Sequence, residues 1–226
     1  SKDTHFVLEL VQNADDNNYP DEILSGENDV CPSARFIINE KYIMVLNNEC
    51  GFREKDIRAL CDVGRSTKGK HKYGYIGQKG IGFKSVFRVT DCPEVHSNGY
   101  HICFDVHGGP MGYILPNWVT EDKWETEDGW VTKIVLPLKE EMQTQSRTLA
   151  ARFNDIHPSL LLFLHRLREI TIDNKIEGHV QTMRKCNLGD RVVEIKHSNG
   201  SDRWLVVKKV LDASKISSQV KSGTEA

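Results

Sequence analysis

Apolar residues recur at helical spacing near the start of the chain. Phe6, Val7, Leu10, Val11 and Ala14 fall on one stripe and predict a helix that Asp3 or Thr4 caps and that runs to about Asn17. Glu9, Asn13 and Asp16 recur at spacings of four and three, so they share a second face. Such a face is ordinarily the solvated side of a helix, but three oxygen-bearing groups on it could also converge on a metal ion and a water. Asn17-Asn18-Tyr19-Pro20 ends the helix, and a polar segment runs to Pro32. Arg35 to Asn39 and Tyr42 to Leu46 read as a hairpin turning at Glu40-Lys41, and Arg53 to Asp62 as a short helix.

From Val63 to Tyr75 the pattern is polar, punctuated by Gly64, Gly69 and Gly74, with Arg65, Lys68, Lys70, His71 and Lys72 as basic groups. That segment is too polar for core and reads as a loop or as a mobile lid over a ligand. An apolar stretch from Ile81 predicts a helix to about Val89. Three strands follow near Glu94–Ser97, His101–Val106 and Gly112–Leu115, the first two joined by the hairpin dipeptide Asn98-Gly99. Trp130 to Leu138 reads as a strand, Gln145–Asn154 and Pro158–His165 as helices. Leu167–Ile172, Gly178–Arg184, Val192–His197 and Trp204–Val210 read as further antiparallel strands. The segments divide into a core over residues 1–140, a C-terminal extension over 141–213 and a flexible tail over 214–226.

Between lid and helix lies Gly74-Tyr75-Ile76-Gly77-Gln78-Lys79-Gly80-Ile81-Gly82-Phe83-Lys84-Ser85. A glycine-rich turn leading into a helix points free N–H groups at an anion, so the stretch reads as a phosphate cradle or as a glycine-rich surface loop. It is not a Walker A loop, because Phe83 stands where the lysine belongs and Lys84-Ser85 comes one residue late. Nor is it a dinucleotide fingerprint, because Ser85 occupies the third glycine position and no buried strand precedes it.

Composition narrows the class. The chain has 226 residues, 38% hydrophobic and 27% charged, and a formal net charge of −2, which gives no electrostatic reason to expect a nucleic-acid or membrane partner. Six cysteines at 31, 50, 61, 92, 103 and 186 include no C-x-x-C pair, which argues against a cysteine zinc site and fits reduced thiols in the cytoplasm or nucleus. No apolar run is long enough to span a bilayer, and the lack of an initiator methionine suggests a fragment of a longer protein.

Four blocks stand in a fixed order: Glu9-Leu10-Val11-Gln12-Asn13-Ala14-Asp15-Asp16, then Asn47 through Phe52, then Ile76 through Phe83, then Thr132-Lys133-Ile134-Val135-Leu136. Together they resemble the Bergerat-fold (GHKL) ATPases, most closely the heat-shock-chaperone branch, and within it the sacsin and NO VEIN type. The resemblance covers about Asp3 to Leu138. It implies an α+β two-layer sandwich: a mixed, mostly antiparallel sheet with helices on one face and an ATP lid.

By position, the resemblance implies that Glu9 polarises the attacking water, Asn13 holds magnesium and Asp16 lines the nucleotide pocket. It assigns phosphate contacts to Gly77, Gln78, Lys79, Gly80 and Gly82, lid contacts to Ser66, Thr67 and Lys68, base contacts to Asn47 and Thr132, and nucleotide binding more generally to Gly51, Ile81 and Phe83. The cofactors implied are ATP and Mg2+, and the function a chaperone-like module that binds ATP and hydrolyses it slowly. Lid closure would then act as a switch on downstream domains of the same chain, with any dimer formed through other regions. A nucleotide switch without hydrolysis and a nucleotide-free interaction domain are the alternatives. Two residues depart from the family. Asn47 replaces the aspartate that accepts the adenine amino proton, and Glu49 replaces a glycine. An asparagine can accept from adenine or donate to guanine O6, so Asn47 leaves the base open.

Overall fold

The computed structural model describes residues 2–62, 83–112 and 115–207. Helix α1 (Lys2–Asp15) buries all five residues of the expected stripe, Phe6, Val7, Leu10, Val11 and Ala14. It begins ahead of Asp3 and Thr4, which therefore lie inside the helix and not at its cap. Its end is anchored from far along the chain. The Asp15 carboxylate accepts the backbone N–H groups of His165, Arg166 and Leu167 at 2.9, 2.7 and 2.8 Å. The Tyr19 hydroxyl donates to the Ala14 carbonyl at 2.6 Å, satisfying one of the acceptors that a last helical turn leaves open. The polar segment that follows holds a short helix, α2 (Asp21–Ser25), which the sequence pattern did not foretell.

Strands β1 (Ser33–Ile38) and β2 (Tyr42–Asn47) form the expected hairpin, its turn held by Asn39 Oδ1, which accepts from the backbone of Lys41 and Tyr42 at 2.8 Å each. Helix α3 (Glu54–Asp62) follows. The stretch from Phe83 to Arg88 is a 3₁₀ helix. Strands β3 (Glu94–Ser97) and β4 (Tyr100–Cys103) meet at Asn98 and Gly99, whose φ angles of 49° and 79° are the left-handed pair that a two-residue hairpin requires. Of the strand expected at Gly112–Leu115, residues 113 and 114 lie outside the described residues; a short strand, β5 (Asn117–Trp118), pairs with Ile102 and Cys103. At Gly112 the chain folds back on itself: a Cβ there would stand 1.9 Å from the Asp105 carbonyl oxygen, so the position cannot serve a regular strand.

Strand β6 (Thr132–Pro137) leads to helices α4 (Glu140–Gln143) and α5 (Ser146–Asn154) and a 3₁₀ turn over Pro158–Phe163. Strands β7 (Glu169–Asn174), β8 (His179–Gly189), β9 (Val192–His197) and β10 (Gly200–Leu205) complete one sheet in the order β10-β9-β8-β7-β1-β2-β6-β3-β4-β5. Neighbours are antiparallel except β1 and β7, which run parallel. This corrects the all-antiparallel expectation for the last strands. A long crossover brings β7 back beside β1, and nothing in a local pattern announces that.

The protein is thus an α+β fold with a mixed, mostly antiparallel sheet. Buried side chains of α1, α3, α5 and the two 3₁₀ segments join Phe36, Ile38, Ile43, Ile170 and Ile172 of the sheet in the larger apolar cluster. A smaller cluster of Met44, Leu46 and Val135 lies apart from it, covered by Trp124 and Trp130 from the loop between β5 and β6. Strand β2 therefore contributes to both clusters, which is why its residues read as a nearly continuous apolar run. No described helix is long and apolar enough to cross a membrane.

Candidate functional site

Asn47 ends β2 and Thr132 begins β6, and the two are cross-strand partners. Over this end of the sheet lies α1. Between them is a cavity of about 50 Å³, walled by Leu10, Val45, Phe52, Leu60, Phe83 and Ile134, with Asn13, Asn17, Asn47 and Thr132 as its polar groups. Apolar walls with a few placed hydrogen-bonding groups suit a flat, uncharged ring; among the described residues no lysine, arginine or carboxylate lines it. It is a slot for one small group, and a whole nucleotide would have to extend beyond it.

Four residues expected at a nucleotide site, Asn13, Asn47, Phe83 and Thr132, meet in this cavity. Glu9 lies one turn before Asn13 on α1 and outside the lining. Its Oε1 is 2.9 Å from His5 Nδ1, while its Oε2 is buried and has no hydrogen-bond partner among the described residues. A buried carboxylate oxygen left without a donor is unfavourable by about 1–3 kcal/mol and calls for a water or an ion. Asp16 lies just past the helix end and is exposed; partial burial, then the charge of Asp15, pushes its carboxyl above the ordinary range. Gly51 is absent from the lining too. Its φ is 88° and a Cβ would stand 2.3 Å from the Asn98 amide, so it is a packing glycine beneath the β3–β4 turn. Ser66, Thr67, Lys68, Gly77, Gln78, Lys79, Gly80, Ile81 and Gly82 lie outside the described residues.

Two buried hydrogen-bond networks back the cavity. In the first, Asn47 Nδ2 donates to the Ser33 carbonyl and to the Tyr19 hydroxyl, both at 2.8 Å, and Asn17 Nδ2 donates to Asn47 Oδ1 at 2.7 Å. A carbonyl only accepts, so Ser33 fixes which end of the Asn47 amide is nitrogen. The Tyr19 hydroxyl spends its one proton on Ala14, which confirms that it accepts from Asn47. Burial holds that hydroxyl far above the usual tyrosine range, so it stays protonated. Asn47 thus has both amide hydrogens engaged and, among the described residues, one acceptor lone pair to spare.

In the second network Thr132 Oγ1 donates to the fully buried Glu49 at 2.9 Å and lies 2.6 Å from Ser97 Oγ, which in turn accepts the Phe52 N–H at 2.8 Å. Glu49, the departure noted in the sequence, is therefore an internal partner of Thr132. Sequence reasoning missed Asn17, Tyr19, Ser33 and Ser97. Asn17 and Tyr19 read only as helix-terminating residues, and their partners lie in other elements.

A family model described as the Sacsin domain matches residues 1–127. Protein NO VEIN of Arabidopsis thaliana is 44% identical over 237 residues, an alignment covering 98% of this chain and 8% of that protein. Sacsin of Homo sapiens is 36% identical over 110 residues, covering 45% of this chain and 2% of that protein. The chain spans only a small fraction of the length of the relatives it matches.

Proposed function

The chain belongs to the Sacsin domain family, and from that premise we propose that it is a nucleotide-binding module of Bergerat type that binds ATP and hydrolyses it slowly with magnesium. The observation that carries this reading is the convergence of Asn13, Asn47, Phe83 and Thr132, from four separate parts of the chain, on one apolar cavity. The cavity takes one edge of the adenine ring and opens to admit the rest, since even benzene occupies a cavity of about 150 Å³. The spare lone pair of Asn47 Oδ1 accepts from the adenine amino group, whereas guanine O6 finds no free donor on Asn47. This makes Asn47 a discriminating residue in favour of adenine.

Glu9 and Asn13 sit four residues apart on one face of α1. The donor set fits magnesium, which prefers oxygen ligands and keeps most of its waters. Asn13 would hold the ion, and bound there it would screen the phosphate charge. The open Oε2 of Glu9 accepts a hydrogen bond from a water and orients it for attack, in a reaction that needs positioning more than covalent chemistry. The glycine-rich segment up to Phe83 supplies the phosphate contacts, and the polar segment from Val63 acts as the lid. Its closure signals to other parts of a longer protein.

Titration of the chain with ATP, beside Thr132→Val, tests the placement of the base. The substitution keeps the side-chain volume and removes the hydroxyl. ATP affinity falls about tenfold if Thr132 contacts the base directly or through a water. Unchanged affinity, with a melting temperature showing that the variant folds, places the base elsewhere.

A further inference from the structure

Behind the β3–β4 hairpin lies a second cluster of side chains that takes no part in the cavity. Strand register sets His96 between His101 on β4 and Lys133 on β6. The Nδ1 atoms of the two histidines are 2.8 Å apart, and Asp122, from the loop that carries Trp124, places Oδ2 3.8 Å from His96 Nδ1. One ligand atom from each of His96, His101 and Asp122 lies within 4.8 Å of the other two.

A carboxylate fixes the histidine tautomer. Glu94 Oε2 accepts from Trp124 Nε1 at 2.8 Å and lies 2.9 Å from His96 Nε2. An ionised Glu94 can only accept, so His96 keeps its proton on Nε2, and the neutral ring aims a bare Nδ1 lone pair at His101. This carboxylate–histidine arrangement orients metal-ligating imidazoles and raises their basicity. Asp122 is oriented as well: Oδ1 accepts the Trp124 backbone N–H at 3.0 Å and Oδ2 accepts from Lys133 Nζ at 2.7 Å.

We propose that His96 Nδ1, His101 Nδ1 and Asp122 Oδ2 form a binding site for a divalent transition metal ion, with zinc the best fit. Two imidazoles and one carboxylate suit zinc and its neighbours in the first transition row, not magnesium or calcium. Bonds of about 2.0–2.1 Å in a tetrahedral site space the ligand atoms about 3.3 Å apart. The histidine pair must therefore open by about 0.5 Å, and Asp122 must close by about 0.5 Å on His96 Nδ1 and by up to about 1.5 Å on His101 Nδ1. Asp122 lies on an exposed loop and His101 is only half-buried, so both have room to shift. A water completes the shell, and the Nδ1 proton of His101 moves to its Nε2 by way of solvent as the metal enters, so that both rings ligate as neutral imidazoles. Lys133 opposes the ion as a like charge, yet the formal charges of Glu94, Asp122 and Lys133 sum to minus one.

The test is Zn2+ titration of the 226-residue chain against a chromophoric chelator, with Co2+ as an optical probe. One equivalent binds, and the cobalt form shows visible d–d bands without a thiolate charge-transfer band. His101→Ala and Asp122→Asn each weaken binding by at least about tenfold, Glu94→Gln weakens it about 10–100-fold, and Lys133→Met tightens it. Circular dichroism of the metal-free variants verifies folding, and Asp122→Asn, at an exposed position, carries the test alone if His101→Ala does not fold. Three results overturn the site: no saturable binding, affinity indifferent to the ligand substitutions, or a thiolate band that puts the metal on cysteine.

Discussion

The Asn47 amide nitrogen stands 2.8 Å from the Ser33 carbonyl oxygen, and this contact fixes which way the side chain faces. An aspartate at the same place would set an oxygen against that carbonyl and leave Tyr19 choosing between two acceptors. From the sequence alone, Asn47→Asp is expected to sharpen adenine preference, since a carboxylate accepts from the adenine amino group and cannot donate to guanine O6. The geometry changes the expectation. Asn47→Asp loses about 1–3 kcal/mol of stability, as buried polar groups do when a partner is replaced by a repelling one. Urea denaturation measures it, and an unchanged midpoint would show that the Ser33 contact contributes nothing.

Glu9→Ala separates catalysis from architecture. Among the described residues its Oε2 is buried without a partner and its Oε1 meets only the exposed His5. Removing the carboxylate therefore leaves stability unchanged or raises it by up to about 1 kcal/mol, while phosphate release from ATP is lost and ATP affinity stays close to normal. A large drop in melting temperature would mark Glu9 as a structural residue.

The neighbouring acid behaves in the opposite way. Asp15 holds three backbone N–H groups of residues 165–167 and ties α1 to the start of β7. Asp15→Ala strands those donors and costs about 3 kcal/mol or more. Denaturant titration decides it: a loss under 1 kcal/mol would mean that water replaces the carboxylate without difficulty.

Acid should weaken the fold through Asp173. Burial raises its carboxyl pKa, but Arg35 at 2.6 Å and Lys175 at 3.1 Å outweigh that and hold it below the ordinary 3.8. A depressed folded-state value stabilises the fold fully above the unfolded value and loses that contribution as pH falls through the folded one. Between pH 5 and pH 2, stability of the native chain should therefore fall more steeply than that of Asp173→Asn. Parallel slopes would show that Arg35 and Lys175 give the carboxylate no net advantage.

The parts of this architecture that were legible in the sequence are those with a local cause. The α1 stripe follows from helical period, the β1–β2 hairpin from alternation, and the β3–β4 turn from the left-handed tolerance of Asn98 and Gly99. What stayed hidden depends on partners far apart in the chain. The parallel pairing of β7 with β1 has no local mark. Asp15 and Asp16 are adjacent and chemically identical, and only the position of residues 165–167 makes the first an internal anchor and leaves the second exposed. The Asn47 network needs Ser33 and Tyr19, and the His96–His101–Asp122 cluster depends on strand register and a loop crossing. The α2 helix escaped notice because five residues after a proline carry too little periodicity to read.

Isothermal titration of the chain with ATP and GTP, in the presence of magnesium, tests the central claim most directly. A ring bound in the Asn13–Asn47–Phe83–Thr132 cavity, read by an asparagine that has only an acceptor left to offer, gives saturable ATP binding and GTP binding weaker by at least about tenfold. Absence of heat with either nucleotide, in a chain shown to be folded, would contradict the account.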